Sequence, residues 1–400
     1  MISLLRTSVL SAAIAATLVS GCGGNVNLGG KGSAGSGSDG GAGAAQVSTN
    51  PDLSASQPVT MLAKDFSLGT LAVAGDFLYF SGVNAKEAGE LYRCRKANCE
   101  ATRELLTNVS GAIGSLQVFE DRLGVTNYAV GNFWLGSYAL PGATDAQIAI
   151  GDLPAMNAVS SQFIGSFVYF SLGVDWGIYR CALPDCPNGP ERIGLARAAP
   201  GGVHLCADAQ HVFWTDRTLI YRAADYGHEP ARTLLPDAEL SEAPAGSMRP
   251  EGDPVDDVEA MTAGEGFLYA ALNDAETGAA CGAACPRRIV RWPSSGGPSE
   301  VLFSTEARLQ RLFFFEGELA WISLAFQPSG IPAGTATVST CRVEACQATR
   351  RDLGNIGLHS LVADDRDLYW LQAQVVDTRD SPGSQISIRQ IRRAPRLPAP

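Results

Sequence analysis

The segment Phe77-Leu78-Tyr79-Phe80 is one of seven short apolar stretches that recur along the chain and decide its fold. The other six copies begin at Arg122, Phe167, His211, Phe267, Glu318 and Asp367. Between the third residues of successive copies the spacings are 45, 45, 44, 56, 51 and 49 residues. Because these stretches are rich in aromatic and β-branched side chains, each predicts a β-strand in a repeating unit.

Three further strands accompany each copy. A short apolar run and a turn come before it, as in residues 71–76, and an alternating strand follows, as in residues 90–93. A polar hairpin then leads to a fourth run, as in residues 103–106. Four antiparallel strands in a unit of this length are typical of a propeller blade. We therefore predict an all-β chain that forms a seven-bladed β-propeller of four-stranded antiparallel blades.

The two ends of the repeat region fit together. The last unit has three strands, and only residues 394–400 with three prolines follow it. Residues 58–63 precede the first unit and have the pattern of the missing fourth strand. We therefore expect this N-terminal strand to complete the last blade and close the ring, since closure removes an exposed sheet edge.

The strand motifs also carry a family resemblance. The Leu-Tyr-Phe, Val-Phe-Trp-Thr and Leu-Tyr-Trp strands, each followed by a Tyr-Arg or Ile-Arg strand, resemble the YWTD and NHL-type propeller repeats of extracellular and periplasmic proteins. The resemblance covers about residues 58–393 and implies the fold without implying a function. Blade two departs most, because Gly124 stands where the aromatic residue belongs.

The first 22 residues resemble the signal of a bacterial lipoprotein. Arg6 is followed by an apolar run of small residues, which ends in Val19-Ser20-Gly21-Cys22. We interpret residues 1–21 as a signal peptide and Cys22 as the lipidation site that anchors the chain to the membrane. The alternatives are an ordinary cleavable signal with an incidental cysteine, or an uncleaved anchor. Gly23 stands where an Asp would retain a lipoprotein at the inner membrane, so we expect the outer membrane, with a periplasmic or a surface-exposed domain.

A tether is predicted between the anchor and the propeller. Residues 22–57 contain the lipidated cysteine and a Gly/Ser-rich stretch with few bulky apolar side chains, so disorder is expected. A flexible linker of roughly 30 residues has a root-mean-square span of about 30 Å. The propeller domain then covers residues 58–394, and residues 395–400 form a proline-rich tail.

Eight cysteines form four close pairs, and these are Cys94/Cys99, Cys181/Cys186, Cys281/Cys285 and Cys341/Cys346. In an oxidising envelope such pairs predict local disulfides, and zinc half-sites are the alternative. Each pair lies where the third strand turns into the fourth. We expect the cysteines to be opposed across that hairpin and to pin outer edges that few contacts hold. Cys206 is left over and is expected to be a buried thiol.

The composition and the polar segments limit the function. The net charge is −11 and no basic cluster is evident in the sequence, which argues against nucleic acid as a partner. His204 and His359 fall on equivalent inner strands but one residue out of phase, so a shared site is not expected. Residues 237–259 are acidic and are interpreted as a solvated insertion between blades four and five, with calcium as the alternative. We expect no other cofactor.

The sequence therefore predicts a non-enzymatic binding or scaffold module for a protein or glycan. The alternative is a propeller hydrolase or lyase that acts on a periplasmic carbohydrate or lactone. We identify no catalytic residue, because no phosphate loop, nucleophile elbow or zinc-helix motif is present in the sequence. A third interpretation is an accessory lipoprotein of an envelope complex.

Overall fold

The computed structural model describes residues 59–64, 69–83, 89–109, 111–129, 132–142, 146–154, 158–172, 177–195, 204–208, 210–215, 220–224, 232–234, 257–273, 287–326, 332–356, 360–377 and 385–397. Within these ranges the chain forms seven separate four-stranded antiparallel sheets, and helix is confined to Cys99–Thr102, Val343–Ala345 and Cys346–Thr349. The predicted all-β, seven-bladed β-propeller is confirmed.

Each blade uses four strands, numbered in chain order. Blade 1 contains β2 (Leu71–Ala74), β3 (Phe77–Val83), β4 (Gly89–Arg95) and β5 (Glu104–Val109), and blade 2 contains β6 (Ala112–Phe119), β7 (Arg122–Ala129), β8 (Asn132–Ala139) and β9 (Ala146–Pro154). Blade 3 contains β10 (Ala158–Ile164), β11 (Phe167–Leu172), β12 (Gly177–Ala182) and β13 (Glu191–Leu195), and blade 4 contains β14 (His204–Ala207), β15 (His211–Thr215), β16 (Ile220–Ala224) and β17 (Arg232–Leu234). Blade 5 contains β18 (Asp257–Gly264), β19 (Phe267–Asn273), β20 (Arg287–Pro293) and β21 (Glu300–Thr305), and blade 6 contains β22 (Arg308–Phe315), β23 (Glu318–Phe326), β24 (Pro332–Arg342) and β25 (Arg351–Ile356).

Blade 7 joins the two ends of the repeat region. It contains β26 (Leu361–Ala363), β27 (Asp367–Asp377), β28 (Gln385–Pro395) and the N-terminal strand β1 (Val59–Lys64). Strand β1 pairs with β28, with Val59 opposite Arg393 and Lys64 opposite Arg389. The N-terminal strand therefore completes the last blade, as the sequence predicted.

The core lies between the blades. The second strands carry aromatic side chains that are at most 1% exposed, and these include Tyr79, Tyr169, Phe213, Trp214, Tyr269 and Tyr369. They pack against the neighbouring blade, because side chains of one sheet face project toward it. At Gly124 of blade 2 an added Cβ would lie 2.5 Å from the Phe163 ring. Phe163 of blade 3 thus occupies the space that the aromatic residue of blade 2 would fill.

The antiparallel order gives the ring two different faces. The first and third strands of a blade run in the same direction, so their C-terminal turns lie on one face. We name this face, which carries the turns from first to second strand and from third to fourth strand, the turn face. The opposite face, which carries the connections from one blade to the next, is named the loop face.

Candidate functional site

A cavity of about 420 Å³ lies at the mouth of the central channel on the turn face. Five blades line it through the ends of their inner strands and the turns that follow. Its apolar lining comes from Val73, Val118, Phe119, Ala263, Phe314 and Ala363. Its charged lining comes from Lys96, Glu120, Glu265, Glu316, Asp364, Asp365 and Arg396. A cavity of this size, with apolar walls and a few converging polar groups, is typical of a binding site.

Three glutamates occupy the same turn position in different blades. Glu120, Glu265 and Glu316 each directly follow the inner strand of blades 2, 5 and 6, and each has a positive φ, of 49°, 49° and 44°. This left-handed conformation costs an L-residue with a Cβ about 1 kcal/mol, and glycine adopts it freely. Blades 1 and 3 have Gly75 and Gly165 at this position. The chain therefore keeps carboxylates at the mouth where glycine would be less strained.

Blades 4 and 7 form this turn differently. Asp208 Oδ1 accepts hydrogen bonds from the backbone N–H groups of Gln210 and His211. In the same way, Asp364 Oδ1 accepts from the N–H groups of Arg366 and Asp367. Burial raises the pKa of each aspartate, but the hydrogen bonds that each accepts outweigh it and hold both pKa values below the ordinary range. Both carboxylates thus have a structural role in the turn.

The two cations at the mouth are already paired. Lys96 Nζ of blade 1 donates to Asp364 Oδ2 of blade 7. Arg396 Nη1 donates to Glu316 Oε2 at 3.1 Å, and its Nε donates to Glu318 Oε2 at 3.2 Å. Glu120 and Glu265, by contrast, are exposed, and no ion pair joins either of them to a described residue.

The electrostatics of the mouth favour a cation. The pKa of Glu265 is raised above its usual range, first by the partial burial of its carboxyl group and then by the neighbouring carboxylates of Glu316 and Glu344. A positive charge placed among these groups would relieve their mutual repulsion. In the described part of the chain, no group of three or more His, Cys, Asp or Glu side chains is placed to hold a metal ion.

Three of the four predicted disulfides are present in the structure. Cys94–Cys99, Cys181–Cys186 and Cys341–Cys346 are bonded, with Cα separations of 4.7, 5.2 and 4.8 Å. Cys281 and Cys285, like the predicted lipidation site Cys22, lie outside the described residues. The disulfides are therefore assigned for blades 1, 3 and 6.

The surroundings of these bonds differ from the prediction. Cys99 and Cys346 each begin a one-turn helix and are not opposed to their partners across a strand pair. In the strand register, Cys94 lies opposite Leu78 of β3 and not opposite Cys99. Cys94 is also fully buried, in a core shared by blades 1 and 7, and Cys341 is buried in a core shared by blades 5 and 6. The expectation of sparsely held outer hairpins is therefore wrong for these two bonds, which lie in the packing between blades.

The leftover cysteine and one predicted histidine are buried on the same strand. Cys206 is not disulfide-bonded and is 2% exposed in β14, as expected. His204 begins the same inner strand and is 8% exposed. In blade 7 the equivalent residue is Ser360. Its carbonyl accepts a hydrogen bond from the N–H of Leu371, and Leu371 corresponds to Thr215, the residue opposite His204. His359 itself lies outside the described residues.

The acidic segment 237–259 ends inside the propeller. Residues 237–256 lie outside the described residues, and Asp257 begins β18. The Glu259 side chain is 8% exposed and pairs with Arg287 at 3.2 Å. It also accepts a hydrogen bond from the N–H of Leu309 in blade 6. The interpretation as a solvated loop is therefore wrong for Glu259. Its carboxylate is buried, and a cation and a backbone N–H group stabilise it there.

Sequence reasoning did not find the glutamates at the channel mouth. Each occupies the first position of the two-residue turn between the first and second strands, in Phe119-Glu120-Asp121, Gly264-Glu265-Gly266 and Phe315-Glu316-Gly317. Aligning these turns across the seven repeats would have shown four acidic residues at one position, the three glutamates and Asp365. Fold and cavity together define a seven-bladed propeller with an acidic, apolar-walled cavity at one mouth of its channel.

Comparisons with known proteins identify no family for the chain. No family model and no curated protein matches the chain. Among solved structures, a chain of the nidogen/laminin complex is similar at 16% identity and a TM-score of 0.39, over 63% of this chain and 89% of that one. TolB from Acinetobacter baumannii is similar at 12% identity and a TM-score of 0.45, over 70% of this chain and 64% of TolB. The propeller assignment rests on the sheet topology described above.

Proposed function

We propose that this chain is a membrane-anchored envelope lipoprotein whose propeller is a non-enzymatic binding module for a protein partner. One observation carries the binding role, namely the cavity at the mouth of the channel with its strained glutamates. Backbone strain that a fold retains is found preferentially at functional positions. Here the strained residues of three blades converge on a single cavity.

The lining favours a lysine or arginine side chain of the partner. Such side chains have an apolar stem and a charged head. The apolar walls, such as Phe119 and Phe314, suit the stem, and the carboxylates of Glu120 and Glu265 suit the head. A rigid ring presents these groups with little ordering entropy to lose on binding.

Binding by the mouth can be tested with the full-length protein in detergent. The probe is a labelled peptide with three lysines separated by glycines, and its glutamine version is the negative probe. We expect the triple variant Glu120→Gln, Glu265→Gln and Glu316→Gln to bind the lysine peptide about tenfold more weakly than wild type. The matched control is Glu100→Gln, Asp185→Asn and Glu306→Gln, which removes three exposed acidic charges elsewhere. Equal affinities of the two triple variants would contradict the proposal.

The anchor is proposed from Cys22 and the residues before it. Within the described residues, no helix combines the length and apolar character needed to cross a membrane. We propose that lipid on Cys22 holds the chain at the outer membrane and that residues 22–57 tether the propeller. Metabolic labelling with an alkyne fatty acid should mark the wild type, and Cys22→Ala should lose the label and leave the membrane fraction. Labelled Cys22→Ala would contradict this assignment.

A further inference from the structure

The same local motif occurs in blades 1 and 6. The sequence Cys-Arg, three residues, Cys, one residue, Ala-Thr-Arg runs from Cys94 to Arg103 and again from Cys341 to Arg350. In both copies a disulfide joins the cysteines. In both, the threonine hydroxyl accepts from the N–H of the first arginine, at 2.9 Å for Arg95 and 2.8 Å for Arg342. The two arginines are thus held on equivalent, rigid backbones.

The two arginines differ in what their guanidinium groups bind. Arg342 Nη2 donates to the carbonyl oxygen of Leu397, in the segment that follows the third strand of blade 7, at 2.8 Å. The equivalent acceptor beside blade 1 is the carbonyl of Pro141 in blade 2, and Arg93 donates to it. Blade 6 has Thr340 where blade 1 has Arg93, so Arg342 meets no competitor. In blade 1 Arg93 takes this acceptor, and the Arg95 guanidinium does not bond to it.

Arg95 is consequently left with an exposed guanidinium. Its carbon Cζ lies 5.5 Å from the centroid of the Phe77 ring, and that of Arg93 lies 4.9 Å from the same centroid. Glu104 pairs with Arg93. Among the described residues, none accepts a hydrogen bond from the Arg95 guanidinium or forms an ion pair with it. The two arginines line a cavity of about 390 Å³ at the rim of the turn face, together with Phe77, Arg103 and Glu104.

Blade 5 shows what a phenylalanine-stacked arginine binds in this protein. Arg291 lies over Phe267, with 4.9 Å between its Cζ and the ring centroid. It donates to Glu300 of its own blade at 2.8 Å and to Glu344 of the neighbouring blade at 3.2 Å. Glu300 and Glu104 are equivalent, since each lies opposite the arginine of its blade. Blade 5 therefore holds a second carboxylate that blade 1 does not receive from its described neighbours.

We propose that the pocket between Phe77 and Arg95 binds a carboxylate of an acidic side chain on a partner protein. Arg103 also lines this pocket, so three arginines stand against the single carboxylate of Glu104, which pairs with Arg93. A carboxylate is favoured as the ligand, because the phenylalanine-stacked Arg291 of blade 5 binds two carboxylates, those of Glu300 and Glu344. The planar guanidinium, stacked on a ring, presents its N–H donors to a carboxylate with little loss of side-chain entropy. This site is separate from the channel mouth and independent of the function proposed for it.

The test uses the full-length protein and a labelled peptide with three glutamates separated by glycines. We expect Arg95→Ala to bind the glutamate peptide about tenfold more weakly than wild type does. Wild type should bind the glutamine version of the peptide no more tightly than Arg95→Ala binds the glutamate peptide. Arg366→Ala is the matched control, because Arg366 is an exposed arginine on the same face, and it should change the affinity less than about twofold. Arg95 is exposed, so thermal unfolding of the variant should match wild type.

Three outcomes would overturn the proposal. The first is wild type that fails to bind the glutamate peptide, and the second is Arg95→Ala that binds it as wild type does. The third is inorganic phosphate that displaces the peptide at lower concentration than acetate, since that result would assign the pocket to phosphate. A carboxylate site is supported if Arg95→Ala loses peptide binding, Arg366→Ala keeps it, and acetate displaces the peptide at lower concentration than phosphate does.

Discussion

Lys96 of blade 1 donates a hydrogen bond to Asp364 of blade 7, across the joint at which the ring closes. The two side chains are only 20% and 13% exposed. Asp364 also accepts from the Tyr369 hydroxyl at 2.9 Å and from two backbone N–H groups. The Lys96–Asp364 pair adds to two other contacts that close the ring. These are the pairing of β1 with β28 and a 2.9 Å hydrogen bond from the N–H of Leu71 to Ser360 Oγ.

Asp364→Asn should destabilise the protein in a pH-dependent way. The hydrogen bonds to Asp364 hold its folded pKa below the ordinary value, so its contribution is present above an ordinary pKa of about 4 and is lost as pH falls further. We expect a loss of about 2 kcal/mol at pH 7 that shrinks below pH 4, measured by urea unfolding. Asp365→Asn, at a 73% exposed side chain, is the control and should have little effect. A loss that is equal at pH 7 and pH 3 would show that charge is not the cause.

Arg396→Met should be among the most damaging single changes. Arg396 binds the buried Glu318, the exposed Glu316 and the carbonyls of Phe315 and Asp364, and so links blades 6 and 7. Its removal leaves the Glu318 carboxylate with Arg351 as its remaining cation, at a cost of about 3 kcal/mol. Adding Glu318→Gln should recover part of that loss. Strictly additive losses in urea unfolding would contradict the coupling.

The disulfides of blades 1 and 6 should contribute similarly. Each joins cysteines five residues apart, and each is buried between two blades. Replacing either pair by alanine should lower the free energy of unfolding by about 2 kcal/mol, through a less restricted unfolded chain and lost packing. Cys206→Ala tests packing without a disulfide. If replacing a disulfide pair lowers the free energy of unfolding no more than Cys206→Ala does, the cross-link is not the cause of the loss.

Stability and binding should change in opposite directions at the turn glutamates. Glu265→Gly relieves a residue with φ of 49°, so we expect about 0.5 kcal/mol of added stability together with weaker binding of the lysine peptide. Gly165 occupies the same turn position in blade 3 with φ of 52° and open space around it. Gly165→Glu should therefore lose about 1 kcal/mol in thermal unfolding. Unchanged stability in both variants would argue against strain at this position.

Much of the fold was predictable because a blade is a local structure. The strand copies at Tyr79, Tyr169, Tyr269 and Tyr369 recur at near-regular spacing, and the four strands of blades 1 to 6 are consecutive in the chain. The cysteine pairs of blades 1, 3 and 6 were predictable for the same reason. The exception is Glu259. Its acidic surroundings in the sequence predicted a loop, but it lies in β18, where its side chain forms an ion pair with Arg287 and accepts a hydrogen bond from the N–H of Leu309.

The sequence by itself determined the number of blades, the strand that closes the ring and the cysteine pairs of blades 1, 3 and 6, because all of these follow from short repeated patterns. Only the tertiary structure decided that Glu120, Glu265 and Glu316 share one cavity and that Arg93 takes the acceptor next to Arg95. Those relationships join different blades. They depend on how the ring brings turns together, and no residue spacing within one repeat encodes that.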